Sequence, residues 1–170
     1  MRLRRLPVLL LLTALVACAG YQVPETPSLQ RDLARPGAVL DDAAAARLIS
    51  DYRASRGLPA VALDPVLTRM AEAQATIMAK RNRLEHNLRA PFATRLKMAG
   101  YDAALAAENI GAGYYTLADA FSGWRASPPH RANMLLPGAT RMGIAAVYTP
   151  SSKYKVFWSL ILAKPDQTQK

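Results

Sequence analysis

Residues 142–163 read MGIAAVYTPSSKYKVFWSLILA, and this segment constrains the architecture more than any other. Two runs rich in β-branched and aromatic residues, Met142–Tyr148 and Tyr154–Ala163, flank a turn-like Thr149–Ser152 and predict an antiparallel β-hairpin. Both faces of the second run are apolar, with Val156, Trp158, Leu160 and Leu162 alternating with Phe157, Ile161 and Ala163. A strand of this kind is usually covered on both sides, so we expect helices on both faces of the sheet.

Capping signals upstream of the hairpin predict five helices. They begin at Asp41 or Asp42 (ending at Gly57), at Asp64-Pro65, near Phe92 (ending at Gly100), at Thr116 with Asp119 in a capping box, and at Ser127 before Pro128 and Pro129. The run Val61–Leu63 suggests an additional outer strand. Together these elements predict an α/β fold, a three-layer α-β-α sandwich with the C-terminal hairpin in its central sheet.

Composition narrows the classes of site that the chain can build. The sequence has 170 residues, 51% of them apolar, with one Cys, two His and a formal net charge of +10. One Cys excludes an intramolecular disulfide and a multi-thiolate zinc site, and two His allow at most one His-based site. The length favours a single domain with a core of its own.

The N-terminus predicts an export signal over residues 1–17. Arg2, Arg4 and Arg5 precede the apolar run Leu6–Ala17, which is too short to cross a bilayer core of about 30 Å. Residues 15–20, LVACAG, resemble a bacterial lipobox, which implies lipid attachment at Cys18. An ordinary signal peptide with an incidental Cys18 is the alternative.

The segments after this signal predict a simple domain order. Residues 18–40 carry three prolines without a sustained apolar period and predict a flexible tether behind the lipidated Cys18. Residues 41–165 then form the domain, and residues 166–170 a short tail. Ala19 after Cys18 resembles the type sorted to an outer membrane, so we expect a lipid-anchored envelope protein, in the outer membrane if the host has two membranes.

Two histidines and one carboxylate are the candidate polar site. His86 and His130 both fall in segments interpreted as lying between regular elements, and Glu108 lies in a glycine-containing stretch, residues 107–113, interpreted as a loop. Spacing alone also fits solvated histidines and a Glu108 that satisfies the backbone of its own loop. The residues therefore suggest a shared site without establishing one.

Four motifs resemble the bacterial branch of the CAP superfamily, also called SCP-like domains. They are His86-Asn87, Glu108-Asn109-Ile110-Gly111, the segment from Trp124 to Leu135 with Ser127, His130, Arg131 and Asn133, and Met142-Gly143-Ile144. The resemblance runs from about Arg47 to Ala163 and keeps the motif order. It implies an α-β-α sandwich in which two His and two acidic residues face one cleft, and in some members the His pair binds a divalent metal.

Carried over to this sequence, the resemblance assigns His86, Glu108, Asn109, Ser127 and His130 to the cleft. Ser127 stands where animal members have the second acid, and the Gln common in the final strand is absent, so a four-ligand site is not expected. A three-ligand set of His86, His130 and Glu108 with an open position would suit Zn²⁺ or another divalent cation. The alternative is that these groups only hold the loops together by hydrogen bonds.

Ser127 with His130 and Glu108 also invites a hydrolase interpretation. We expect instead that the Ser127 hydroxyl caps the helix beginning at Pro128, which would leave it badly placed to attack a substrate. Phe121, Trp124 and Trp158, like Met70 and Met78, lie at helical or strand spacing and are expected in the core.

Six basic residues lie within a span of eighteen and form the predicted basic patch. They are Lys80, Arg81, Arg83, Arg89, Arg95 and Lys97. Such a run is usually a solvated face, but beside His86 it also suits acidic lipid headgroups or anionic envelope polymers. Nucleic acid is a less suitable partner because no aromatic platform interleaves the charges.

Three functional hypotheses follow. The first is an exported, lipid-anchored monomer that acts by binding, without catalysis, a divalent ion or a small ligand such as a lipid in the His86, Glu108 and His130 cleft. The second is a metal-assisted hydrolase that uses Glu108 as ligand or base. The third is a structural envelope module that binds anionic polymers through the basic patch.

Overall fold

The computed structural model describes residues 27–166. In this part of the chain a short 3₁₀ turn, Ser28–Gln30, precedes five helices and four strands. The helices are α1 Asp42–Ala54, α2 Pro65–Arg81, α3 Phe92–Met98, α4 Leu117–Ala126 and α5 Pro128–Met134; the strands are β1 Ala62–Leu63, β2 Ala103–Ala112, β3 Arg141–Tyr148 and β4 Val156–Pro165. The predicted signal of residues 1–17 and the predicted lipid site Cys18 lie outside the described residues and stay predictions.

The four strands form one mixed sheet in the order β1-β3-β4-β2. The predicted hairpin is confirmed, because β3 and β4 pair antiparallel, with Ala146 opposite Trp158. The outer strand β1 pairs parallel with β3, and β2 pairs antiparallel with β4 at the other edge. Strand β4 is therefore central, and its first eight residues are all buried.

Helices cover both faces of this sheet, which confirms the three-layer sandwich. On one face, Trp158 and Leu160 of β4 pack in a cluster with Ile49 of α1, Trp124 of α4 and Met134 of α5. On the other face, the β4 side chains of Phe157, Ile161 and Ala163 join clusters that include Leu67, Met70, Ala71 and Met78 of α2. Alternate side chains of β4 thus pack against the two different helical layers.

Gly143 brings α2 into direct contact with β3. A Cβ atom at this position would collide with the backbone of Leu67 and Thr68. The glycine of the Met142-Gly143-Ile144 motif is thus required by close packing between helix and strand, and not by an unusual backbone angle.

The predicted helix caps are confirmed at three of the helices. Asp41 Oδ1 accepts a hydrogen bond from the Ala44 amide, and Asp64 Oδ1 accepts from the amides of Val66 and Leu67. Thr116 Oγ1 accepts from the Asp119 amide. These bonds satisfy amides that have no partner inside their own helix.

The tether prediction is wrong for residues 28–40. Leu33 is 4% exposed and belongs to the cluster under α1 and α4, and its amide donates to the Tyr115 carbonyl. Ser28 Oγ donates to Asp41 Oδ2 at 2.6 Å. Burying a leucine contributes about 1.5–3 kcal/mol, so this segment is part of the folded domain.

Within residues 27–166, no helix is long and apolar enough to cross a membrane.

Candidate functional site

Glu108 lies in strand β2, not in a loop as the glycines around it suggested. Its Cα pairs with Ile161 of the central strand, and its side chain is only 1% exposed. The loop interpretation failed because Gly111 lies inside the strand, close to the rings of Tyr114 and Trp124. A carboxylate buried this deeply requires charged or hydrogen-bonding partners.

Arg95 is the principal partner of Glu108. Its Nη1 donates to Oε1 at 3.0 Å and its Nη2 donates to Oε2 at 2.8 Å, which makes a bidentate pair. His86 Nδ1 lies 2.8 Å from Oε2, and the buried Ser159 hydroxyl donates to Oε1 at 3.4 Å. Both carboxylate oxygens are therefore engaged by groups of the chain itself.

Arg95 was assigned to the basic patch, and the structure corrects this. Its side chain is 11% exposed and projects from α3 toward the sheet. The guanidinium also reaches the Ala90 and His86 carbonyls, both at 3.3 Å, and lies over the Phe92 ring, 5.2 Å from its centroid. Arg95 thus joins α3, the preceding loop and β2, and it is the main site residue that the sequence analysis missed.

His86 lies in the loop between α2 and α3, as predicted, with its side chain 45% exposed. Gln74 of α2, itself buried, fixes this loop because its Nε2 donates to the carbonyls of Glu85 and His86 at 2.8 and 3.2 Å. An ionised carboxylate only accepts hydrogen bonds, so His86 Nδ1 carries the hydrogen toward Glu108.

His130 lies on α5 rather than between elements. Asn109 Nδ2 donates to the His130 carbonyl at 2.9 Å, and Asn133 Nδ2 donates to Asn109 Oδ1 at 2.9 Å and to the Glu108 carbonyl at 3.3 Å. These bonds hold the helix against β2. Burial lowers the pKa of His130, and the neighbouring His86 lowers it further. Both causes favour the neutral form of the His130 imidazole.

Ser127 occupies the N-cap position of α5, but its hydroxyl makes no capping hydrogen bond. The two residues that follow are prolines, which supply no amide hydrogen there. Nor does any hydrogen bond within residues 27–166 join Ser127 Oγ to His130 or Glu108. The expected cap is therefore wrong, and in the described part of the chain no hydrogen bond links the serine hydroxyl to a base.

The structure brings together seven residues that we call the polar cluster. These are His86, Arg95, Glu108, Asn109, His130, Asn133 and Ser159. Ser127 is the one predicted cleft residue that forms no hydrogen bond with this set in the described part of the chain.

The polar cluster does not fit the three-ligand metal set that the sequence suggested. Arg95 holds both Glu108 oxygens, and a guanidinium beside a ligand oxygen repels a divalent cation. Across residues 27–166, no group of three or more His, Cys, Asp or Glu side chains is arranged to hold a metal ion.

A cavity of about 300 Å³ opens between α2 and α3 and borders Arg95. We call it the interhelical cavity, and it is lined by Met70, Ala73, Gln74, Arg89, Ala90, Arg95, Met98 and Ala99. Its walls are mostly apolar, and Met98 is 73% exposed at its rim. The cavity and the polar cluster share Arg95, and Gln74, which anchors the His86 loop, also lines the cavity.

An open basic depression adjoins this cavity, and we call it the basic basin. It is lined by Arg69, Glu72, Ala73, Thr76, Ile77, Lys80, Arg81 and Arg89. The basin differs from the predicted basic patch in membership: Arg69 lines it, and Arg83, Arg95 and Lys97 do not. Arg83 is exposed and forms a surface pair with Glu85 at 2.6 Å, while Lys97 is exposed on α3.

Comparison with known proteins agrees with this architecture. Residues 46–162 match the family model described as CAP, the cysteine-rich secretory protein family. An outer surface protein from Borrelia burgdorferi superposes with a TM-score of 0.67 at 17% identity, over 74% of this chain and 93% of that one. An extracellular protein containing a SCP domain from Bacillus anthracis gives 0.60 at 24% identity, over 75% of this chain and 45% of that one.

A cysteine-rich secretory protein from Staphylococcus aureus also superposes, with a TM-score of 0.55 at 18% identity over 72% of this chain and 37% of that one. None of the curated proteins matches the sequence. The sandwich and the family match together define a CAP-type domain. The chain belongs to the CAP (cysteine-rich secretory protein) family, which confirms the resemblance drawn from its motifs.

Proposed function

We propose that this protein is an exported, lipid-anchored CAP module of the bacterial envelope that acts by binding an anionic amphiphile. The observation that carries the proposal is the continuity between the interhelical cavity and the basic basin, which share Ala73 and Arg89. An apolar chain in the cavity would place an acidic headgroup beside the basic side chains. Of the two partner classes suggested by the sequence, lipid and anionic polymer, this arrangement favours the lipid-like one, an acidic headgroup on an apolar chain.

The interhelical cavity suits the apolar part of such a ligand. Met70 of α2 and Met98 of α3 line it, together with the small side chains of Ala73, Ala90 and Ala99. Methionine side chains adapt to irregular apolar ligands. Each methylene group transferred from water into the cavity contributes about 0.8 kcal/mol, so the length of the chain that fits will set affinity.

The basic basin suits the anionic part. Four cationic side chains, those of Arg69, Lys80, Arg81 and Arg89, surround it, against one carboxylate, that of Glu72. A concave surface with this charge excess attracts anions and raises their rate of association at low salt. Arginine in addition offers paired donors to a phosphate or carboxylate.

The polar cluster supports binding better than hydrolysis. A general base needs a lone pair aimed at substrate, but both Glu108 oxygens accept bonds from Arg95, His86 and Ser159. Among residues 27–166, the Ser127 hydroxyl forms neither a capping hydrogen bond nor a hydrogen bond to a base. The hydrolase alternative therefore has no assembled nucleophile and base in its favour.

Export and anchoring complete the proposal and rest on the sequence of residues 1–18. Because residues 28–40 belong to the domain, little chain separates a lipidated Cys18 from the fold. The residues between Cys18 and Pro27 span at most about 30 Å when fully extended. An anchored domain would therefore stay near the membrane surface, where anionic amphiphiles are found.

Calorimetric titration with dodecyl phosphate, below its micelle concentration, tests the binding proposal. The protein is the chain from residue 18 with Cys18→Ser in place of the lipid. We expect 1:1 binding that weakens by about tenfold or more in Ala73→Phe, which fills the cavity, and in Arg89→Glu, which reverses charge in the basin. Dodecanol is the uncharged probe and should bind more weakly.

Lys97→Glu provides the matched control, because it makes the same charge reversal on exposed α3 outside the basin. Its affinity should change less than about twofold at moderate salt. Absence of binding by the parent protein, or equal losses in Lys97→Glu and Arg89→Glu, would contradict the proposal.

A further inference from the structure

The charge of Glu108 has a partner already built into the chain. Its carboxylate is 1% exposed, and a carboxylate so deeply buried stays ionised only beside a positive charge. Arg95 meets it with two parallel hydrogen bonds at 3.0 and 2.8 Å from a side chain that is itself 11% exposed. The ion pair is neutral as a unit.

Further contacts hold Arg95 in this position. Nε donates to the Ala90 carbonyl and Nη2 donates to the His86 carbonyl, so the loop before α3 fixes the guanidinium as well as the carboxylate does. Gln74 anchors the same loop from α2 through the carbonyls of Glu85 and His86. Arg95 is therefore a fixed part of the site rather than a mobile surface side chain.

We infer that Arg95 is a specificity-determining residue that excludes divalent cations from the polar cluster. It supplies the positive charge that a metal would otherwise bring to Glu108, and it engages both oxygens that a metal would need as ligands. Two neighbouring imidazoles remain, but without Glu108 they lack an anionic ligand. This inference stands independently of the amphiphile proposal, because it rests on the bonds between Arg95 and Glu108 and not on the cavity.

The inference has a direct consequence for engineered variants. Replacing Arg95 by a neutral side chain of similar polarity leaves a buried carboxylate without its cation, beside the imidazole of His86, which in turn neighbours His130. Glutamate oxygen and imidazole nitrogen are both ligands that Zn²⁺ accepts. Arg95→Gln should thus gain a zinc site that the parent protein lacks.

A calorimetric titration with Zn²⁺ tests this consequence. The protein is the chain from residue 18 with Cys18→Ser, a substitution that also removes the one competing thiol. We expect Arg95→Gln to bind Zn²⁺ at least about tenfold more tightly than the parent. Arg95→Lys, which keeps the charge, should resemble the parent. Arg95→Gln/Glu108→Gln should lose the gain, because it lacks the anionic ligand.

Thermal unfolding provides a second readout that does not depend on a binding model. Zinc should raise the Tm of Arg95→Gln and leave the Tm of the parent unchanged, since a ligand stabilises only a fold that binds it. If Arg95→Gln does not fold alone, zinc should restore its helical circular dichroism. Equal zinc affinity in parent and Arg95→Gln, a gain that survives Glu108→Gln, or a variant that zinc neither binds nor refolds would overturn the inference.

Discussion

Two arginines of the domain are largely withdrawn from solvent, and their surroundings differ in kind. Arg53, at the end of α1, is 0% exposed and donates only to backbone carbonyls, those of Pro59, Met134, Leu136 and Ala139. Arg95, on α3, faces the Glu108 carboxylate and an imidazole. Within residues 27–166, Arg53 forms no salt bridge.

This difference separates a structural role from a functional one. Burial lowers the pKa of Arg53, yet the carbonyl dipoles of three chain segments hold its charge. The guanidinium therefore ties α1 to the end of α5 and to the loop before β3. Arg95 has a charge-matched partner and borders a cavity. A matched pair can be exchanged for another cation, whereas a guanidinium surrounded by carbonyls has no equivalent substitute.

The largest effect we expect comes from Arg53→Met. The substitution leaves four carbonyl groups without their charged donor, and each buried carbonyl that stays unpaired costs about 1–3 kcal/mol. Partial relaxation leaves a net loss of about 4 kcal/mol in the free energy of unfolding, measured by urea denaturation. Arg47→Met, exposed on the same helix, should stay within about 0.5 kcal/mol. A loss below about 1 kcal/mol for Arg53→Met would show that Arg53 does not hold these segments together.

A smaller effect, and the sharper contrast, is expected from a double-mutant cycle between Arg95 and Glu108. Arg95→Met and Glu108→Gln should each lower the free energy of unfolding by about 3 kcal/mol, because each leaves a buried charge alone. The double variant should lose less than the sum, with a coupling energy of about 2 kcal/mol. Arg53→Met combined with Glu108→Gln should be additive within about 0.5 kcal/mol. Additivity in the first pair would remove the distinction between the two arginines.

Sequence patterns predicted the layers and most of the local structure for identifiable reasons. The alternation in β4 encodes two buried faces, and Asp41, Asp64 and Thr116 encode helix starts through side-chain bonds over two or three residues. These signals are local, so a single sequence carries them. The motifs likewise brought His86, Glu108 and His130 into one site.

The errors concern contacts between distant segments. Arg95 lies in a run of exposed basic residues, and no local signal marks it as different from them; the clue was that a buried Glu108 must find a cation. Leu33 looked like part of a tether because its burial depends on α4 and on Tyr115. Ser127 had the side chain of a cap, but the prolines after it remove the nearest amide partners.

The smallest expected effect is a pH dependence of the unfolding free energy that comes from His130 in the polar cluster around Arg95 and not from the surroundings of Arg53. Burial and His86 hold the pKa of His130 below its ordinary 6.5, so as pH falls from about 7.5 the unfolded chain takes up the His130 proton before the folded chain does. The free energy of unfolding should therefore fall with pH through this window and level off once the folded His130 also protonates. His130→Gln should remove this part of the fall, measured by urea denaturation at about pH 7.5 and about pH 5.5. Because the partners of Arg53 are carbonyls that do not titrate, Arg53→Met should keep the parent's change in unfolding free energy with pH. If His130→Gln also keeps that change, His130 is not its cause.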